Sequence, residues 1–144
     1  MKDIFNLNLS QCRLVTLSAC ETGLTDFTSL SDEYIGLPSG FLVAGSSSVV
    51  STLWSVQDFS TALLMIKFYN NLQNHTSVAY ALNQAQLWLR NITKTELEQW
   101  IEYKQLPLNP KLRIAISQRL HQLPNNFQVF QLPFYWAGFC AIGQ

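Results

Sequence analysis

At 144 residues the chain is long enough for one domain with one core. Hydrophobic residues make up an ordinary 48%, but charged residues only 12%, about half of the usual share of roughly 25%. Nine basic and nine acidic side chains cancel, so no basic field exists to draw nucleic acid, and a weakly charged surface is poorly protected against association. The cysteines, Cys12, Cys20 and Cys140, form no C-x-x-C pair, so no metal cluster is expected, and the pattern suits reduced thiols in a cytoplasmic protein. The start, Met1 to Phe5, lacks the apolar core of a signal peptide. No run of about 18 apolar residues exists, so neither a membrane span nor a membrane partner is expected. No Walker-type glycine loop and no G-x-S-x-G elbow is present, which argues against nucleotide binding, against a bound cofactor and against a generic α/β hydrolase.

In chain order, residues 1–12 read as a lead-in, with the alternation at Asn6 to Ser10 fitting a short edge strand or a loop. Residues 13–19, with Leu14, Val15, Leu17 and Ala19, predict a strand buried on both faces. Glu21, Thr22 and Gly23 end it, and the polar stretch Thr25 to Glu33 reads as a surface loop. Tyr34 to Gly45 predicts a short helix, with Pro38 near its start and Gly45 as a left-handed cap. Ser48 to Val56 predicts a second strand, and strand–helix–strand order implies a parallel pair.

Asp58 is placed to cap a helix running to about Leu72, and Ser77 to cap the next, where Val78, Ala81, Leu82, Ala85, Trp88 and Leu89 follow the helical period. Thr93 and Glu96 form a capping-box pattern, and Asn109 with Pro110 opens another helix with Leu112, Ala115, Ile116 and Leu120 in register. The apolar run Phe134 to Gly143 predicts a last strand. Three strands among this many helices give a thin α/β sheet with at least one open edge.

Cys20 closes the first strand. The carboxyl ends of strands in open α/β sheets are where ligands bind, and a thiol there is a nucleophile if a neighbour makes it a thiolate. The competing reading is a buried thiol acting as a small hydrophobe.

Four stretches carry a resemblance: Leu17 to Gly23, Gly36 to Gly45, Ser48 to Asp58, and Pro133 to Phe139. In this order they resemble the CHAT domain, a caspase-like family commonly attached to tetratricopeptide helical arrays. The resemblance implies a caspase-like three-layer α/β sandwich, here partial, with a mostly parallel sheet flanked by helices, and a histidine–cysteine dyad acting on a protein or peptide substrate. Cys20 takes the nucleophile's position. Leu53, Trp54, Ser55 and Asp58 line the pocket for the substrate residue before the scissile bond. The family's usual turn there is Trp-Pro-Val-Asp-Asp; Ser55 and Gln57 depart from it, while Trp54, Val56 and Asp58 match.

In the family the catalytic histidine lies upstream of the cysteine strand, in a His-Gly motif that also helps to form the oxyanion hole. Residues 1–12 contain no histidine, so the resemblance covers the C-terminal half of such a domain. The only histidines are His75, in a polar loop, and His121, at a helix end, both read as surface residues. Three readings follow. The chain is a split peptidase, active when another polypeptide supplies the histidine half; or a non-catalytic interaction module; or a fragment of a larger CHAT and tetratricopeptide-repeat protein.

Overall fold

A computed structural model of the chain describes residues 2–18, 36–74, 77–106 and 108–144. The elements are α1 (Lys2–Phe5), β1 (Val15–Thr16), α2 (Leu37–Val43), β2 (Ser48–Thr52), α3 (Asp58–Leu72), α4 (Val78–Asn91), α5 (Lys94–Tyr103), α6 (Pro110–His121), a 3-10 turn (Pro133–Tyr135) and β3 (Phe139–Gly143). The lead-in is thus a short helix followed by loop, not a strand.

Among the described residues three strands form one sheet in the order β1-β2-β3. β1 runs parallel to β2, pairing Val15 with Val49 and Thr16 with Val50. β3 runs antiparallel to β2 over five pairs, from Ser48–Gly143 to Thr52–Phe139. Among the described residues the sheet is therefore mixed, with one parallel and one antiparallel pair, where a mostly parallel sheet is expected from sequence. β2 is the central strand, and among the described residues β1 pairs on one side only. That position explains why Val15 and Thr16 are half-buried where burial on both faces is expected from sequence. All five residues of β2 are buried. Side chains alternate along a strand, so both faces of β2 are covered.

Val50 joins the main core with Leu63, Leu64 and Phe68 of α3 and with Ala81, Leu82, Ala85 and Leu89 of α4. Of the α4 positions that share the helical period, Val78, Ala81, Leu82, Ala85 and Leu89 are buried, while Trp88 is half-buried against the core. Three buried positions in β2 are polar. Ser48 Oγ donates to the carbonyl of Gln144 at 2.5 Å, and Ser51 Oγ lies 3.4 Å from Cys140 Sγ. These small side chains take partners on or next to β3 and so lock its register.

The helix ends follow their sequence signals with one exception. Past the Ala44 cap of α2, Gly45 N–H donates to Leu42 and Ser46 N–H to Phe41, with Gly45 at φ 109°. That is a Schellman closure, and it requires the left-handed backbone that glycine adopts at little cost. Ser77 accepts from Tyr80 N–H and caps α4. At α3 the cap is Gln57, whose side chain accepts from Ser60 N–H at 2.8 Å; Asp58, expected as the cap, is the first residue of the helix. The last expected strand is also shorter than its apolar run. Pro133 starts a 3-10 turn, and pairing begins at Phe139.

Thr93 and Glu96 form a complete capping box on α5. The Thr93 backbone N–H, and after it the Thr93 hydroxyl, donate to the Glu96 carboxylate and hold its pKa below the ordinary value. A carboxyl group whose pKa is depressed by folding stabilises the fold above its unfolded pKa, and that contribution is lost as pH falls through the folded pKa. Thr93→Ala is therefore expected to cost about 1 kcal/mol near neutral pH. The gap between the urea midpoints of the two chains should narrow as pH falls through the lowered pKa of Glu96, because only the bond from Glu96 N–H to the Thr93 hydroxyl then separates them. A gap that does not change with pH would contradict the assignment.

Candidate active site

β1 and β2 are parallel and in register, so both deliver their carboxyl ends to the same end of the sheet. Leu17 N–H extends the pairing by donating to Val50 at 2.7 Å. Cys20, two residues beyond Ser18, lies outside the described residues, as does His75. The segment after β2 is fully described. Leu53 N–H donates to the Gly138 carbonyl at 2.7 Å, which ties the start of the turn to the residue before β3.

Trp54 is half-buried against the same place. A Cβ added at Gly138 would lie 2.9 Å from two atoms of the indole ring and 3.1 Å from Val56, so the ring packs directly on the Gly138 backbone. Trp54 Nε1 donates to the Phe134 carbonyl at 3.3 Å. Leu53, Ser55 and Asp58 are exposed, Leu53 at 38%. The four residues assigned to substrate binding from sequence thus divide in two. Trp54 is anchored in the fold, and the other three offer an apolar side chain, a hydroxyl and a carboxylate to solvent. Asp58 also stands in the first turn of α3, where the helix dipole favours a negative charge.

The two described cysteines are free thiols engaged in the fold. Cys12 Sγ donates to the Leu14 carbonyl at 3.3 Å, and Cys140 pairs with Ser51. His121 is exposed at the end of α6. Among the described residues no group of three or more His, Cys, Asp or Glu side chains is placed to hold a metal ion. No described helix is long and apolar enough to cross a membrane.

Two residues that hold this end of the molecule together have no strong sequence signal. Gln57 caps α3 although glutamine is not a favoured cap. Gln86, on α4, donates from Nε2 to the carbonyls of both Trp136 and Phe139, at 3.0 and 2.9 Å. It fixes the turn that carries Gly138, and through Gly138 the seat of Trp54.

The family model of the CHAT domain matches residues 1–144, the whole of the chain. No curated protein and no solved structure matches it.

Proposed function

The chain belongs to the CHAT-domain family, and on that premise we propose that it is a caspase-like cysteine peptidase component whose nucleophile is Cys20 and whose general base is a histidine from outside residues 1–144. The parallel pairing of β1 with β2 carries this reading. It sends the segment leading to Cys20 and the Leu53–Asp58 turn out of the same end of the sheet. In such a site the thiolate attacks the scissile carbonyl, and the turn after β2 holds the substrate residue before that bond. Asp58 suits a basic side chain there.

The chemistry demands a base. A thiol near its free pKa of about 8.5 is only a few per cent thiolate at neutral pH. Losing one oxyanion donor lowers the rate by a further factor of roughly 10²–10³. His121 is exposed on α6, away from the strands of the sheet, and His75 lies outside the described residues. Among the described residues β1 pairs with β2 alone, and a strand added at its other side would supply main-chain hydrogen bonds as well as side chains. The chain alone is accordingly inactive.

Exposed apolar side chains on α1 and α2 support a second reading, a non-catalytic interaction module. Phe5, Leu7, Leu37 and Val43 are exposed on and around α1 and α2, Val43 at 70%. Turnover of a denatured protein such as casein separates the two. The isolated chain is expected to match its Cys20→Ser variant, and addition of a CHAT-domain segment carrying the His-Gly motif is expected to create turnover that Cys20→Ser abolishes. Turnover by the isolated chain that Cys20→Ser removes would overturn the need for an outside base. No turnover in any combination would leave the interaction module.

A further inference from the structure

The turn that leaves β2 leads straight into a groove of about 560 Å³. Its floor is aromatic: the rings of Phe59 and Phe130 meet at a tilt of 54° with centroids 6.2 Å apart, and Phe130 meets Tyr135 edge-on at 5.4 Å. Ile116 and Leu120 of α6 add an aliphatic wall. The remaining lining is of a different kind. Gln57, Gln122, Gln128 and Gln131 bring amide groups, and Arg119 is the only charged side chain among the described lining residues. A larger cavity of about 700 Å³, lined by Lys67, Trp88, Glu96 and Trp100 among others, carries both signs of charge and has no such bias.

We propose that the Arg119 groove binds an extended polypeptide segment in which apolar side chains adjoin a carboxylate. Glutamine amides donate and accept, so they match the two hydrogen-bonding groups of a peptide unit. The aromatic floor takes apolar side chains, the usual division of labour in a binding cleft. The guanidinium matches a carboxylate in a two-point hydrogen bond and repels a lysine. Gln57 belongs both to this groove and to the Leu53–Asp58 turn, so a chain crossing the turn continues into the groove. The inference rests on the reading that the turn handles a polypeptide, and it names the chemistry of the part of that polypeptide beyond the turn.

The test uses the full chain with Cys20→Ser, so that no turnover interferes. Fluorescence anisotropy compares a short fluorescein-labelled peptide of alternating leucine and glutamate with its lysine counterpart. The glutamate peptide is expected to bind about tenfold more tightly, and Arg119→Glu to invert the order. Leu132→Glu, at an exposed lining position where folding is not at stake, should weaken the glutamate peptide further. Equal affinity for the two peptides, or indifference to Arg119→Glu, would overturn the proposal. So would sedimentation showing that Leu132→Glu breaks a dimer, because the groove's occupant would then be a second copy. Protection of Cys20 from alkylation by the glutamate peptide is read separately in the native chain. Binding without protection keeps the groove and removes its link to the cysteine.

Discussion

Gln86→Met is expected to destabilise the chain by roughly 1–3 kcal/mol for each of the two carbonyls that lose their donor. Methionine keeps the length and much of the shape of the side chain, so the loss isolates the hydrogen bonds. Gln86 Nε2 is held 3.0 Å from the Trp136 oxygen and 2.9 Å from that of Phe139, the first residue of β3. Phe139 itself is 4% exposed. Water therefore has limited access to replace what the amide supplied. A domain of this size has a total stability of roughly 5–15 kcal/mol, so the change is a large share of it. The measurement is the urea midpoint, with Trp54 fluorescence in chains lacking the other tryptophans as a local probe. Because Gly138 lies between the two accepting carbonyls, its contact with the indole should loosen along with the fold. A midpoint within 0.5 kcal/mol of the native chain, the scatter of ordinary surface substitutions at about ±0.5 kcal/mol, would show that the tether is ornamental.

Much of the scaffold was legible because it rests on periodic burial and on short-range backbone chemistry. The α4 positions Val78, Ala81, Leu82, Ala85 and Leu89 are apolar at helical spacing and are buried. Gly45 is a glycine where a left-handed residue is needed, and Thr93 with Glu96 satisfies two helix-end donors in one pattern. What was not legible depends on partners distant in sequence. β1 reads as a strand buried on both faces, since its residues are apolar, but its position at the side of β2 is set by the whole topology. The antiparallel direction of β3 follows from the path through α4, α5, α6 and the Pro133 turn. Gln86 is one polar residue between Ala85 and Leu87, and nothing local says that it spans to residues 136 and 139. Aspartate is a favoured cap residue, so Asp58 reads as the cap from sequence, yet the backbone places Gln57 there.

The candidate site divides along the same line. Trp54 belongs to a stretch that resembles the family's turn, and the structure supplies a separate physical reason for that residue type: a flat ring fits against Gly138, and its N–H reaches Phe134. Leu53, Ser55 and Asp58 are exposed, so the fold exerts no comparable pressure on them, and their assignment to substrate binding is a proposal about function.

The most direct test of the central claim is the alkylation rate of Cys20 in the isolated chain as a function of pH. Cys20→Ser serves as the blank, since it retains Cys12 and Cys140. Slow labelling is expected at pH 6, with a rise centred near the free thiol pKa of about 8.5 and acceleration at pH 6 when a segment bearing the His-Gly motif is added. Rapid labelling at pH 6 by the chain alone would mean that a base within residues 1–144 already holds the thiolate, and it would contradict the claim that the nucleophile waits for a histidine from elsewhere.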